Sequence, residues 1–122
     1  MRFTKTHEWI RLEGNMGTVG ITHYAKQELG DIVYVELPKI GSKVKAGEEV
    51  CVLESTKSAA DVYSPVSGKI LEVNAELRSS PQKINESPET DGWLYRIELA
   101  NRKEFEELLS RAEYEKLQNM DV

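Results

Sequence analysis

Residues 53–65 read LESTKSAADVYSP, and the single lysine in this stretch is Lys57. Residues 50–53 before it and residues 69–73 after it are apolar and rich in β-formers, so we predict a strand on each side. The small polar residues between them predict a tight, exposed turn. Such a turn holds a lysine in water on a rigid support, where an enzyme can find its amine and attach a cofactor. The alternative is an ordinary solvated lysine, because burying an ammonium group is costly.

Length and composition narrow the class of protein. The chain has 122 residues, of which 39% are hydrophobic and 30% charged, and this predicts one globular domain with a single core. A formal net charge of -5 argues against a nucleic-acid binder, which normally carries a basic face. No apolar run is long enough for a membrane span or a signal-peptide core. We therefore expect a bacterial or archaeal cytoplasmic protein, with a processed mitochondrial protein as second choice.

The cysteine and histidine content predicts no disulfide and no metal site. Cys51 is the one cysteine, and it lies within an apolar run where a buried small hydrophobe is the expected role. His7 and His23 are too far apart in sequence to form a recognisable zinc pattern with it.

Strand signals are short and frequent. The clearest are residues 18–21, residues 32–37 with Val33, Val35 and Leu37 on one face, and residues 93–99. In the last of these, Trp93, Tyr95, Ile97 and Leu99 are predicted to share a face.

Helix signals occur at three places. Thr22 can cap a helix that runs to residue 29 and ends at Gly30. Asn101, with Glu104 three residues on, predicts a second helix through residue 109. Ser110 and Glu113 repeat that pattern before a last helix, which we expect to fray from residue 118.

These signals together predict a mainly β fold, a flattened barrel or sandwich with short flanking helices and a C-terminal helical segment. Residues 40–47 and 65–70 each place glycines beside β-formers, on either side of the Lys57 turn. They are either two similar half-motifs or unrelated glycine-rich turns, and the pattern leaves both interpretations open.

A set of short motifs extends over nearly the whole chain in a consistent order. They are His7-Glu8-Trp9, Val19-Gly20-Ile21-Thr22, Leu29-Gly30-Asp31, Val35-Glu36-Leu37-Pro38, residues 41–47, Glu54-Ser55-Thr56-Lys57-Ser58, residues 63–68, Val73-Asn74, Ile84-Asn85 and Gly92-Trp93. With these motifs the chain resembles the H-protein family of the glycine cleavage system, whose members carry lipoate. Two positions depart from the family pattern, Thr56 where valine is common and Glu89 where an aromatic residue is common. Neither affects Lys57.

The resemblance implies a single lipoyl-carrier domain over residues 1–122, of the barrel-sandwich hybrid type. Its core would span about residues 1–99, followed by helices at about 101–118. It implies an (R)-lipoyl group joined to Lys57 by an amide bond, with Glu54, Ser55 and Asp61 giving the recognition context of the turn. It also implies a cleft in which Thr6, Glu8 and Asp61 shelter the loaded arm.

The resemblance further implies a carrier that is not itself an enzyme, is a monomer, and binds neither nucleic acid nor membrane. Its expected partners are glycine decarboxylase (P protein), aminomethyltransferase (T protein), dihydrolipoamide dehydrogenase (L protein), and a lipoate-protein ligase or octanoyl/lipoyl transferase. The arm would accept an aminomethyl group from the first partner, present it to the second and be reoxidised by the third.

Four alternatives accompany this interpretation. A biotin carrier usually has methionine on both sides of its lysine, whereas Thr56 and Ser58 stand here. A lipoyl domain of 2-oxoacid dehydrogenases typically has Asp-Lys-Ala at the turn and lacks the C-terminal helices. An H-like paralogue, acting as a lipoyl relay or as a carrier in another pathway, would share all the motifs. An enzyme with its own active site would show a catalytic constellation, and none stands out.

Overall fold

The computed structural model describes residues 1–120, so residues 121 and 122 of the expected domain lie outside it. The described strands are β1 Arg2–Phe3, β2 Glu8–Glu13, β3 Met16–Ile21, β4 Ile32–Glu36, β5 Lys43–Val44, β6 Glu49–Ser55, β7 Ala59–Tyr63, β8 Gly68–Val73 and β9 Tyr95–Leu99. The described helices are α1 His23–Leu29, a 3₁₀ turn at Ala75–Arg78, α2 Gln82–Glu86, α3 Arg102–Glu106 and α4 Arg111–Met120. This confirms the mainly β class with short flanking helices and a helical C-terminal segment.

The strands form two antiparallel sheets that face each other across one core. The larger sheet has the order β1-β2-β3-β9-β8-β5 and the smaller has the order β4-β6-β7. Neither sheet closes into a barrel among the described strands, so the sandwich form of the expectation is the one observed. Apolar side chains from both sheets fill the space between them, including Ile10, Val19, Val35, Leu53, Val62, Ile70 and Ile97.

The two glycine-flanked segments pair with each other. β5 lies antiparallel to β8, with Lys43 opposite Lys69 and Val44 opposite Gly68. Gly41 N donates to Ile70 O at 2.8 Å, which continues the contact past the end of the short strand. The two glycine-containing segments noted in the sequence, residues 40–47 and 65–70, are therefore hydrogen-bonded to each other, one before and one after the Lys57 hairpin in the chain.

The alternation expected for residues 32–37 is wrong at its first position. The pairing of β4 with β6 shifts register between Ile32 and Tyr34, and this irregularity turns Val33 out of the core. Val33 is 53% exposed, whereas Ile32 and Val35 are buried. A bulge changes which residues face inward without changing the apolar pattern, so the simple period-2 count fails here.

β9 follows its predicted alternation more closely. Tyr95, Ile97 and Leu99 are buried on one face, as expected. Trp93 lies before the strand and is only half-buried, while Leu94 is fully buried.

The helix before β4 forms as predicted. Thr22 Oγ1 accepts from Ala25 N at 3.2 Å, and Gly30 N donates to Lys26 O at 3.0 Å where the helix ends. Among the described residues, no helix is both long and apolar enough to cross a membrane.

The C-terminal helices agree with the prediction in part. Asn101 caps α3 as predicted. Glu104 does not complete the expected capping box, because its carboxylate accepts from Ser67 N and Ser67 Oγ, both at 2.9 Å. The helix ends at Glu106 and does not reach residue 109. The capping box of α4 is confirmed, because Ser110 N donates to Glu113 Oε1 at 2.9 Å and Glu113 N donates to Ser110 Oγ at 3.2 Å. The last helix also continues beyond residue 118, where fraying was expected.

The N-terminal strand joins the C-terminal segment. Phe3 N donates to Leu109 O at 2.8 Å and Leu109 N donates to Phe3 O at 2.9 Å. The Phe3 ring stacks on Tyr114 with centroids 4.7 Å apart, and Trp9 completes this second apolar cluster. α4 is thereby attached to the edge of the larger sheet.

Candidate functional site

Lys57 lies at the tip of the β6–β7 hairpin and is exposed. Leu53 pairs with Ala60, and Glu54 pairs with Ala59, on the two sides of the tip. The second flanking strand is therefore Ala59–Tyr63, and the expectation that residues 69–73 fill this place is wrong. Alanine and aspartate are weak strand formers, and pairing with β6 overrides that preference.

The Ser55 side chain holds the tip of the hairpin. Its Oγ accepts from Lys57 N at 3.3 Å and from Ser58 N at 3.0 Å, while Ser55 N donates to Ser58 O at 2.7 Å. Thr56 N donates to Asp31 O at 3.1 Å and ties the turn to the start of β4. With these bonds made, the backbone that carries Lys57 is fixed while its side chain stays in solvent.

The stem of the Lys57 side chain lies against the end of α1. A Cβ built on Gly30 would be 3.2 Å from Lys57 Cε, and Gly30 has a φ of +88°. The backbone conformation therefore requires glycine here, and any larger residue would also place its Cβ in tight contact with the lysine stem.

A cleft of about 190 Å³ lies between α1, the β6–β7 hairpin and the start of β2. Its lining residues are Thr6, His7, Glu8, Ile21, Ala25, Glu28, Leu29, Leu53, Ala60, Asp61 and Val62. Apolar side chains make up much of the wall, and three carboxyl groups are placed among them.

Glu8 is the buried carboxyl group of the cleft, at 2% exposure. Its Oε1 accepts from Thr4 Oγ1 and Thr6 Oγ1, each at 2.5 Å, and its Oε2 accepts from Tyr63 N at 3.2 Å. Burial raises the pKa of Glu8 above its ordinary 4.5, although these hydrogen bonds act in the opposite direction. The side chain is thus held in one orientation at the bottom of the site.

The other predicted site residues are divided between the cleft and the hairpin. Thr6 contacts Glu8 directly, and Asp61 lines the same cleft from β7 as an exposed side chain. Glu54 is exposed beside the turn, and within residues 1–120 its side chain makes no hydrogen bond or ion pair. Within the described part of the chain, the lining of the cleft includes carboxyl side chains but no lysine or arginine, so its electrostatic character is acidic.

Two parts of the site were not anticipated from the sequence. Thr4 supplies a second hydroxyl to Glu8 and accepts from Glu8 N at 3.0 Å. α1 forms a whole wall of the cleft through Ala25, Glu28 and Leu29. The helix itself was predictable from its caps, but nothing local in the sequence indicates where it packs.

Cys51 takes no part in the cleft. It is buried at 3% exposure, which confirms its predicted role as a small hydrophobe. Burial also raises the pKa of its thiol far above the ordinary value, so the reactive thiolate is disfavoured.

Comparison with known proteins identifies the family. The family model described as Glycine cleavage H-protein matches residues 1–121. The chain belongs to this family. It is 49% identical to the glycine cleavage system H protein of Carboxydothermus hydrogenoformans, over 96% of this chain and 90% of the relative. It is 51% identical to the H protein of Thermotoga maritima, over 93% of this chain and 92% of the relative.

A solved structure shows the same fold. The crystal structure of a glycine cleavage system H protein from Mycobacterium marinum superposes with a TM-score of 0.86 at 38% identity, covering 96% of this chain and 94% of that one. Membership confirms the resemblance inferred from the motifs. The chain is a lipoyl-carrier component of the glycine cleavage system that works with its P, T and L components, and it is not itself a catalyst.

Proposed function

We propose that Lys57 is the lipoyl attachment site of this chain and that the cleft beside it shelters the loaded arm. The support is geometric: one exposed lysine at a fixed turn, with its stem against the end of the helix that forms one wall of the cleft. The recognition role of Glu54, Ser55 and Asp61 and the sheltering role of Thr6, Glu8 and Asp61 belong to the same proposal.

The residues present fit such a group. Its hydrocarbon part requires an apolar surface, which Ile21, Leu29, Leu53 and Val62 provide. Held there, a lipoyl group would supply a redox-active cyclic disulfide able to carry an aminomethyl group between partners. Attachment to Lys57 Nζ would keep the group at a high local concentration for each partner in turn.

The chain itself contributes charge and shielding. The Glu8 carboxylate would attract a cationic amine at the bottom of the cleft. Thr4 and Thr6 orient this carboxylate by donating to its Oε1. Glu28 and Asp61 add negative charge near the opening. The apolar walls would exclude the water that hydrolyses an exposed arm.

The rest of the proposal concerns partners and setting. We expect glycine decarboxylase, aminomethyltransferase and dihydrolipoamide dehydrogenase to act on the lipoyl arm. We expect a lipoate-protein ligase or an octanoyl/lipoyl transferase to attach it. We expect one lipoyl-carrier domain over residues 1–122, acting as a monomer in a bacterial or archaeal cytoplasm. A true H protein and an H-like paralogue differ in whether glycine decarboxylase loads the arm.

The deciding experiment is an intact-mass measurement with peptide mapping, on protein co-expressed with a lipoate ligase and fed lipoate. We expect one lipoyl increment, on Lys57, and none on Lys57→Arg, which keeps the charge but loses the amine that can be acylated. Lys69→Arg is the matched control, since Lys69 is also an exposed lysine and lies on β8. A lipoylated Lys57→Arg protein, or an increment lost in Lys69→Arg, would overturn the assignment.

Incubating the lipoylated protein with glycine and glycine decarboxylase then tests the pathway. Loading would support the H-protein role. Lipoylation without loading would favour the paralogue.

A further inference from the structure

The hydroxyl group of Tyr114 joins α4 to two residues next to the cleft. It lies 2.6 Å from His7 Nδ1 and 2.8 Å from Thr22 Oγ1. His7 lines the cleft, and Thr22 is the N-cap of α1. One buried hydroxyl group thus contacts both the strand side and the helix side of the site.

A second contact connects the same two helices. Arg111 Nη2 lies 3.2 Å from Glu89 Oε1, and Glu89 Oε2 accepts from His23 N, the first residue of α1, at 3.0 Å. Glu89 makes a polar connection between the N-terminus of α1 and α4.

α1 packs on its surroundings through partly buried side chains, with Ala25 and Leu29 against the main core and the Tyr24 ring 4.5 Å from the His7 ring. The helix has seven residues and none of them is buried. Short elements with few buried apolar contacts open locally at low cost. The side chains that hold the first turn of α1 therefore have a large share in keeping this wall in place.

His7 adds a backbone link to the same point. Thr22 N donates to His7 O at 3.1 Å, and His7 has a left-handed φ of 72°. Such a φ is uncommon for a residue other than glycine and persists only where the surroundings hold it. The Tyr114 hydroxyl contacts the side chains of both residues in this link.

We propose that α4 acts as a clamp on the cleft, with Tyr114 as the positioning residue that holds α1 against His7 and so controls how well the arm is sheltered. The effect of the clamp on shelter rests on the proposed function, because only a loaded arm needs shelter. The mechanical part, that Tyr114 holds α1, concerns the unmodified protein and is tested separately.

The first test is hydrogen exchange on the unlipoylated protein. Tyr114→Phe removes the hydroxyl and keeps the ring that stacks on Phe3. In Tyr114→Phe we expect the amides of residues 26–30 to exchange about fivefold faster for each net hydrogen bond lost. This factor corresponds to about 1 kcal/mol, the net contribution of a typical hydrogen bond. Ile70→Val, in the main core away from α4, is the control for a general loss of stability.

Variants at Thr22 separate the hydroxyl contact from the fold. Thr22→Ser keeps the oxygen and should exchange like the wild type, whereas Thr22→Val loses both the contact with Tyr114 and the N-cap bond from Ala25 N and should exchange faster than Tyr114→Phe. If Tyr114→Phe exchanges no faster in α1 than an equally destabilised Ile70→Val, Tyr114 is only a structural residue and the clamp is refuted.

The second test uses lipoylated protein loaded by glycine decarboxylase. We expect the loaded carrier of Tyr114→Phe to decay about fivefold faster than the wild type, and Ile70→Val to decay at the wild-type rate. Faster exchange in α1 with an unchanged decay rate would refute the link between clamp and shelter. Absence of lipoylation on Lys57 would instead refute the proposed function, and the exchange result would still stand.

Discussion

Replacing Gly30 with alanine should affect stability and arm shelter through two separable effects. Gly30 has φ 88° and ψ −160°, a region that is nearly exclusive to glycine. Holding alanine there costs roughly 1–3 kcal/mol, offset by about 0.4–1 kcal/mol from the reduced freedom of the unfolded chain. For a domain of this size the net loss corresponds to a fall in Tm of up to roughly 10 °C.

The second effect is steric. The new Cβ would lie 3.2 Å from Lys57 Cε, which is closer than ordinary contact, so the lysine stem must shift by a few tenths of an ångström away from α1. If the stem stays near α1 by holding a χ angle about 30° off its rotamer, the cost is about 0.5–1.5 kcal/mol, which corresponds to a two- to tenfold change in the population of that position. We expect the loaded carrier to decay faster by about that factor. Lipoylation should be little affected, because Lys57 remains exposed at the turn.

Gly47→Ala is the matched control. Gly47 has a φ of +85°, and a Cβ there meets nothing within 4 Å. The variant should lose thermal stability in the same way and keep the wild-type decay rate. The assay follows loaded protein by intact mass over time, at a temperature well below both melting transitions. Equal decay of the two glycine variants, or no change in Gly30→Ala, would refute the idea that the lysine stem must lie across α1.

Two further predictions concern charge and capping. Removing the carboxylate in Glu8→Ala should leave lipoylation intact and shorten the life of the loaded carrier about tenfold, the effect of one hydrogen bond to a charged group. Because burial raises the pKa of Glu8 above 4.5, its carboxylate gains a proton at a higher pH than an exposed glutamate. Shelter in the wild type should therefore weaken as the pH falls toward that raised pKa. Decay rates across pH should show this step in the wild type and lack it in Glu8→Gln; the same step in both would contradict the assignment. Ser110→Ala removes the acceptor for Glu113 N and should cost about 1 kcal/mol of unfolding free energy. Thermal melts check this against Ser79→Ala, whose exposed hydroxyl donates to Glu76 O, and equal losses would argue against the cap.

The features that could be predicted from the sequence depend on nearby residues. Thr22 and Gly30 mark the ends of α1 because caps act within one turn. The capping box of α4 follows from Ser110 and Glu113 for the same reason. Lys57 was identifiable because the small, polar residues around it permit a turn.

The features that were missed depend on the tertiary fold. β7 begins with Ala59 and Ala60, whose sequence predicts a loop, and they form a strand because they pair with β6. The bulge in β4 exposes Val33 although the apolar pattern continues through it. The burial of Glu8 follows from the packing of α1 and β7 above β2, and no local pattern encodes that. The contact between Tyr114 and His7 spans 107 positions and has no local signal at all.

The pairing of the first strand with the C-terminal segment affects the order in which the chain can fold during its synthesis. Arg2 Nη1 donates to Leu108 O, across 106 positions. At about 5–20 residues per second, the N-terminal edge must wait roughly 5–20 s on the ribosome before its partner exists. The smaller sheet needs only residues 32–63 and can pair well before that. The β6–β7 hairpin, with the proposed attachment site at its tip, can therefore be complete and exposed while the first strand of the nascent chain still lacks its C-terminal partner.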